Sequence, residues 1–360
     1  KLFSLWKQLF CVFKRSDFMR KIKRRKYYTK YLIITTICVF SCMGIGYSYL
    51  QENLDINMSL SKKRIDITDN VVASGDGLYE DKYESGRYIY RGSNPNNYIE
   101  FNDELWRIIA KETDGTYKII RDELLPQNDG YTKMSYDEAY HRSTENNTYC
   151  TNSNWGCGVF AAVSGTFQTP NGNYRGTVTE DSSIKEYLNN TYYPTLNRTA
   201  KIQVQSHIFN IGSVQYLDKS GNDSIEKNIA GEKMYQWTGN VGLVNVSDLL
   251  RASTNTACES ATDQYKQLSA DTSKETCSSY LIELSNQMVY WTINAFSAES
   301  GNYASNAWGV ALLEDKVGFV YYNTHYGKNY GTGVRPVIFL KPSIHFISGN
   351  GTKSNPYIIE

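Results

Sequence analysis

The sequence predicts an α+β fold behind one membrane-spanning helix. Three observations carry this. Short aromatic and β-branched runs are punctuated by Gly, Asn, Asp and Pro turns. The few helical signals are scattered among them without βαβ alternation. One stretch, residues 31–50, has no charged side chain at all.

That stretch, YLIITTICVFSCMGIGYSYL, is long enough as a helix to cross the roughly 30 Å hydrocarbon core of a bilayer. Arg20, Lys21, Lys23, Arg24, Arg25, Lys26 and Lys30 precede it. Basic residues stay on the cytoplasmic side, so the expectation is a single-pass signal anchor at the cell membrane. Its N-terminus is cytoplasmic and its C-terminal domain extracellular. No small-x-small site follows the apolar run, so the anchor is read as uncut. Residues 1–30 form a basic cytoplasmic segment. Met19 opens a complete signal-anchor pattern and is expected to be the native start, which sets residues 1–18 apart. If those residues belong, Leu2, Phe3, Leu5, Trp6, Leu9, Phe10 and Phe13 suit an amphipathic helix at the membrane surface.

Composition narrows the function. The net charge of +1 hides an asymmetry: residues 1–30 hold eleven Lys and Arg against one Asp, and the rest holds 27 basic against 36 acidic residues. A mildly acidic outer part excludes nucleic acid as a partner, because phosphate binding needs a basic face. The lipid bilayer is the partner of residues 31–50. Of seven cysteines, Cys150, Cys157, Cys258 and Cys277 fall outside, where an oxidising milieu makes disulfides the default. Four cysteines allow three pairings. Cys150–Cys157 and Cys258–Cys277 are favoured because each closes a short loop. Without Cys-x-x-Cys, and with only His141 near a pair, no metal is implied. No cofactor motif is present either.

Taken in order, residues 51–75 are a polar stalk in which Leu54, Ile56, Met58 and Leu60 alternate, and the globular part, residues 76–360, starts near the Ser74–Gly77 turn. Tyr88–Tyr90 and Tyr98–Phe101 read as strands around the turn Ser93-Asn94-Pro95-Asn96. Leu105–Lys111 and Thr116–Arg121 flank Asp114-Gly115, a hairpin signal. Ile109 breaks the alternation of its strand, which predicts burial on both faces. Residues 125–180 are turn-rich. Ser183 with Glu186 fits a capping box opening a helix with Ile184, Tyr187 and Leu188 on one face, ending near Pro194. Ile202–Phe209 reads as a strand, Trp237–Val244 as a turn into a strand, and Leu249–Ser253 as a short helix. Val289–Thr292, Trp308–Leu312, Gly318–Tyr321 and Val334–Leu340 are strand candidates. Pro336 has no ladder donor, which predicts an edge or a bulge there. Ile344–Ile347 and Tyr357–Ile359 flank Ser348-Gly349-Asn350-Gly351, a closing hairpin.

Several phrases carry a resemblance: GLYEDKYESGRYIYRGSNPNNYIEFNDELWRIIAKETDGTYKIIRDE, SSIKEYLNNTYY, VGLVNVSDLLRAS and GVRPVIFLKPSIHFISGNGTKSNPY. Together they resemble an uncharacterised family of membrane-anchored surface proteins of Firmicutes-type Gram-positive bacteria, over residues 76–360. The family implies a location and transfers no activity. Some relatives carry the same ectodomain behind a type IV pilin leader. Trp308-Gly309 followed by Gly333-Val334-Arg335-Pro336-Val337 also resembles the end of C-type-lectin-like and formylglycine-generating-enzyme-like domains. The lectin calcium motifs are absent, so calcium-dependent sugar binding is not implied, and the enzyme branch's paired cysteines find no counterpart.

Chemistry is sparse. His141, His207, His325 and His345 stand apart from one another, and no His-Glu-x-x-His, Gly-x-Ser-x-Gly or Walker pattern occurs. The remaining signal is aromatic, with 30 Tyr, 13 Phe and 6 Trp. Tyr offers a flat apolar face and a hydroxyl at low entropic cost, which suits recognition. Tyr321, Tyr322, Tyr326 and Tyr330 crowd around His325, and these five are the candidate binding residues. Trp106, Trp237, Trp291 and Trp308 read as core. The function expected is therefore a cell-surface binding or adhesion module for a glycan, cell-wall polymer or protein, with no catalytic residue assigned. Two alternatives stand beside it: an extracytoplasmic enzyme such as a hydrolase, betrayed by convergent carboxylates in a cleft, and a structural subunit of a pilus-like appendage.

Overall fold

The central hairpin sets the architecture. β4 (Glu104–Lys111) and β5 (Tyr117–Arg121) pair antiparallel through the Asp114-Gly115 turn, where Gly115 has φ +83°. Asp114 accepts from the Thr116 backbone N–H and hydroxyl, which fixes the turn locally. Residues 106–110 of β4 are all buried, on both faces, and a register shift falls between Ile108 and Ala110. A computed structural model describes residues 64–127, 130–131, 134–137, 158–168, 170, 175–215, 225–255, 279–284, 288–297, 306–313, 316–323 and 332–360. All fall in one unit, Arg64–Glu360.

The hairpin grows in both directions. β1 (Gly77–Glu80) pairs β2 (Tyr88–Arg91), which pairs the C-terminal end of β4. β3 (Tyr98–Phe101) pairs the other end of the same edge of β4. Asn102 and Asp103 join β3 to β4 with φ of 56° and 61°, the left-handed pair a two-residue hairpin requires. Two short ribbons follow, β6 (Pro126–Gln127) with β7 (Gly130–Tyr131) and β8 (Thr166–Gln168) with β9 (Arg175–Thr177). β10 (Val204–Gln205) completes the main sheet from the far side; β11 (His207–Asn210) turns away and pairs β13 (Gln236–Gly239), while β14 (Val241–Gly242) rejoins the sheet. A second sheet runs in the order β12 (Val214–Gln215), β15 (Tyr290–Ser297), β16 (Asn306–Leu313), β17 (Lys316–Asn323). The last strands are β18 (Val337–Leu340), β19 (Phe346–Ser348) and β20 (Ile358–Ile359), the latter two a closing hairpin.

Helices are short. α1 (Ser183–Glu186) runs on through a π-helical Tyr187–Tyr192 into α2 (Tyr193–Thr195). α3 is Arg198–Gln203, α4 Ile225–Lys233, α5 Val246–Arg251 and α6 Tyr280–Glu283. Among the described residues no helix is long and apolar enough to cross a membrane. One core joins both sheets and the helices, with Trp106, Trp291 and Trp308 among its largest buried side chains. Mixed helix and sheet without alternation is the α+β class.

Several elements differ from expectation. β18 is interior: β5 flanks one side, β10 and β14 the other. The strand escapes the proline constraint by starting one residue after Pro336, whose carbonyl still accepts from Arg121 N at 3.1 Å. The helix cap is Ser182 rather than Ser183, its side chain accepting from Lys185 N. Ile202 lies in α3, because Asn197 caps a helix by accepting from Ala200 N, and the strand waits until Val204. α5 begins at Val246, three residues early. Residues 64–75, expected in the stalk, pack on the sheet: Ile67 is fully buried and Ile65 bridges Phe346. Trp237 is only partly buried against the core. The segments 1–30 and 31–50, the Leu54–Leu60 alternation and His141 lie outside the described residues.

Candidate functional site

Among the described residues, two groups of buried charges open onto clefts, and their chemistry differs. The first is a lock. At the end of the β1–β2 connection, Arg87 donates to Asp81 at 2.7 Å, Glu112 at 2.8 Å and Asp248 at 2.8 Å. Arg251, on α5, donates to Asp81 at 2.7 Å, Glu84 at 2.8 Å and Asp248 at 3.1 Å. Lys118 of β5 donates to Asp248 at 2.6 Å and to Asn245 Oδ1 at 2.9 Å. Asp248 thus faces three cations. Burial pushes its carboxyl up, but Lys118, Arg87 and Arg251 outweigh that and hold it well below the usual range. Burial is likewise the largest single influence on Glu84 and raises it, but Arg251, Lys233 and Arg87 together outweigh it and bring the carboxyl down to about 2.

Glu232 of α4 stands beside this lock in a different state. It accepts from Ser247 N at 2.8 Å and from Ser247 Oγ at 2.6 Å, so it caps the first turn of α5 from another helix. Burial dominates and pushes its carboxyl up to about 7. A narrow cleft of about 70 Å³ opens onto these groups, rimmed by His207, Ile208 and Lys233. His207 stacks on Phe339 with centroids 3.9 Å apart and bonds Asp114. Convergent carboxylates are present, yet Asp81, Glu84, Glu112 and Asp248 are each consumed by an arginine or lysine, and Glu232 by a helix end.

The second group lines a wider cleft of about 350 Å³. At its floor Arg107, near the middle of β4, lies 3.9 Å from the Tyr98 ring centroid and 4.8 Å from that of Tyr280. Register explains the first contact, since Tyr98 of β3 is the cross-strand partner of Arg107. Tyr280 arrives from α6, 173 residues along the chain. Arg107 donates to Asn97 Oδ1 at 2.6 Å, Tyr98 Oη at 2.9 Å and the Pro95 carbonyl at 3.3 Å. Its nearest carboxylate, Asp122, is 3.9 Å away. Burial lowers the affinity of the Arg107 guanidinium for its proton and raises that of the Tyr280 hydroxyl. Lys353, whose side chain is 65% exposed, reaches over from the closing hairpin to within 3.5 Å of Asp122.

A third cleft of about 330 Å³ is lined by Asn70, Asp76, Tyr90, Asn96, Asn350 and Tyr357, among others. The Ser93–Asn96 turn divides it from the Arg107 cleft, with Ser93 and Asn94 lining one side and Asn96 the other. Asp76 fixes that turn by accepting from the Ser93 and Asn94 backbone N–H groups at 3.2 and 2.8 Å. The closing hairpin packs alongside: Gly351, at φ +76°, lets its backbone lie where a Cβ would strike the Asn96 carbonyl. Two loops distant in sequence therefore form one ridge with a cleft on each side.

Of the residues expected to bind, the backbone of Tyr321 and Tyr322 is placed on β17, opposite Trp308 and Ala307 of β16. His325, Tyr326 and Tyr330 lie outside the described residues, as do Cys150, Cys157, Cys258 and Cys277. Among the described residues no three His, Cys, Asp or Glu side chains are placed to hold a metal ion. Sequence reasoning missed Arg107, Tyr98, Tyr280 and Lys353. The available signal was Arg107 itself, a lone cation inside the apolar run of a strand read as buried on both faces. Comparison of the chain with protein-family models, curated proteins and solved structures finds no match.

Proposed function

We propose that this protein is a surface binding module. It is held in the bacterial membrane through residues 31–50, with its N-terminus cytoplasmic and Arg64–Glu360 outside, and takes a glycan, cell-wall polymer or protein ligand. The domain is of the C-type-lectin-like kind that the closing Trp-Gly and Gly-Val-Arg-Pro-Val phrases resemble. The single observation that supports binding is the ridge of residues 93–96 and 349–353 with its two clefts, of about 330 and 350 Å³. Clefts of that size suit sugar-sized groups. Their linings of Tyr, Asn, Arg and Lys combine flat faces with directional donors. The hydrolase alternative gains nothing from the carboxylate lock, because a general acid or nucleophile must be free to meet substrate.

The test is a glycan and cell-wall-polymer array probed with the detergent-solubilised full-length chain. Saturable binding to a restricted set of polymers is expected, weakened by Tyr357→Ala or Asn350→Ala. An array without saturable binding, repeated with immobilised wall preparations, overturns the reading.

A further inference from the structure

The buried arginines differ in what neutralises them, and Arg335 donates to the backbone carbonyls of Arg121, Asp122 and Leu284. Arg87 and Arg251 each meet three carboxylates within 3.1 Å. Arg107 is buried to the same degree, 4% exposed against 2% and 5%. Yet all three of its hydrogen bonds go to neutral oxygens. A guanidinium has five N–H donors, so two remain. Asp122 lies beyond hydrogen-bond distance of Arg107 at 3.9 Å, and it also faces Lys353. A buried cation without a hydrogen-bonded counter-charge is costly, and an anion bonded to its free donors would offset that cost. The cost here is reduced by the two tyrosine faces, which attract a cation without neutralising it.

Position within the cleft adds to this. Arg107 forms the floor and Lys353 projects from the rim, so one oxyanion lying against Asn94 and Tyr98 can be met from two sides. Arg335, itself 1% exposed, lines the same cleft, so three cations stand against the carboxylates of Asp122, Glu123 and Glu283, a balance that admits one added negative charge more readily than a polyanion. Resting on the binding reading above, we propose that the Arg107 cleft receives a single oxyanion, carboxylate or phosphate, carried on a sugar or polyol. Arg107 holds the anion at the floor and Lys353 closes over it. The third cleft, lined by Asn and Tyr, then receives the neutral part of the same polymer across the ridge.

The experiment is calorimetric titration of the detergent-solubilised full-length chain with galacturonate and with glycerol 3-phosphate, against galactose and glycerol as their neutral counterparts. At least one anionic probe is expected to saturate while its neutral counterpart does not. Galacturonate alone identifies a carboxylate ligand, and glycerol 3-phosphate alone a phosphate ligand. Lys353→Gln, at an exposed position, is expected to weaken binding about two- to fivefold without changing the melting temperature. Arg107→Gln is expected to abolish it, and where that variant does not fold, Lys353→Gln decides. Neutral probes that bind as well as the charged ones overturn the proposal while leaving the binding module standing. So does anion binding that Lys353→Gln leaves unchanged, or a chain that binds polymers on the array but none of these anions. A chain that binds in neither experiment overturns both.

Discussion

Replacing Glu232 by Gln should make the protein more stable in alkali and not in acid. Glu232 is 2% exposed and its carboxyl is raised from 4.5 to about 7, first by burial. The folded state therefore holds this proton more tightly than the unfolded chain. Below about pH 4.5 the group is protonated in both states and takes nothing from stability. As pH climbs from 4.5 to about 7 the unfolded chain ionises first and gains, so stability is lost across that window. The difference is worth about 3 kcal/mol above pH 7. Glutamine keeps the bond from Ser247 N through its own oxygen. Its amide must donate to Ser247 Oγ, so that bond reverses and the buried hydroxyl proton is left without an acceptor, at a cost of about 1 kcal/mol. The variant should thus gain about 2 kcal/mol near pH 8 and lose about 1 kcal/mol near pH 4. Urea unfolding followed by the fluorescence of the buried Trp106, Trp291 and Trp308 reads this directly. Other titrating groups are common to both proteins and cancel in the comparison. A variant-to-parent difference that stays flat from about pH 4 to about pH 8 refutes the reasoning.

The remaining predictions concern the lock, the ridge and four cysteines. Asp248→Asn leaves Arg87, Lys118 and Arg251 facing a neutral amide and should cost about 3–5 kcal/mol by urea unfolding; a loss under about 1 kcal/mol means that the three cations do not depend on one carboxylate. Glu84 acts on the acid side: its carboxyl falls from 4.5 to about 2, so its contribution is present above pH 4.5 and lost as pH drops toward 2, and Glu84→Gln should flatten that part of the stability curve. Gly351→Ala forces a side chain into a left-handed backbone against the Asn96 carbonyl and should cost about 2 kcal/mol or more, read as a lower melting temperature. An unchanged melting temperature would remove the hairpin from the ridge. Mass spectrometry of the unreduced chain should find Cys150, Cys157, Cys258 and Cys277 in two disulfides, and four free thiols would contradict the extracellular location.

The features legible in advance share a physical basis: they depend on neighbours a few residues away. The β4–β5 hairpin follows from Asp114-Gly115, and the burial of β4 on both faces from the single break at Ile109. The closing hairpin follows from its Gly-Asn-Gly turn in the same way. Pro336 misled because a missing donor limits only its own residue, and the strand simply starts beyond it. Tyr321, Tyr322, Tyr326 and Tyr330 stand out because Tyr is dense along the chain there. The Arg107 cleft gathers Tyr98, Tyr280 and Lys353 from three separated segments, and density along a chain carries no information about that.

Local composition thus settled the uncharged span with its basic flank, the turns, and the mixed α+β character, since charge, backbone torsion and side-chain periodicity act over a few residues. Only the folded chain decided which charge meets which. Arg87 finds Asp248 across 161 residues, whereas Arg107 finds two aromatic rings and no bonded carboxylate. The energy of a buried charge is set by what stands within a few ångströms of it, and sheet pairing, rather than sequence order, brings those neighbours together.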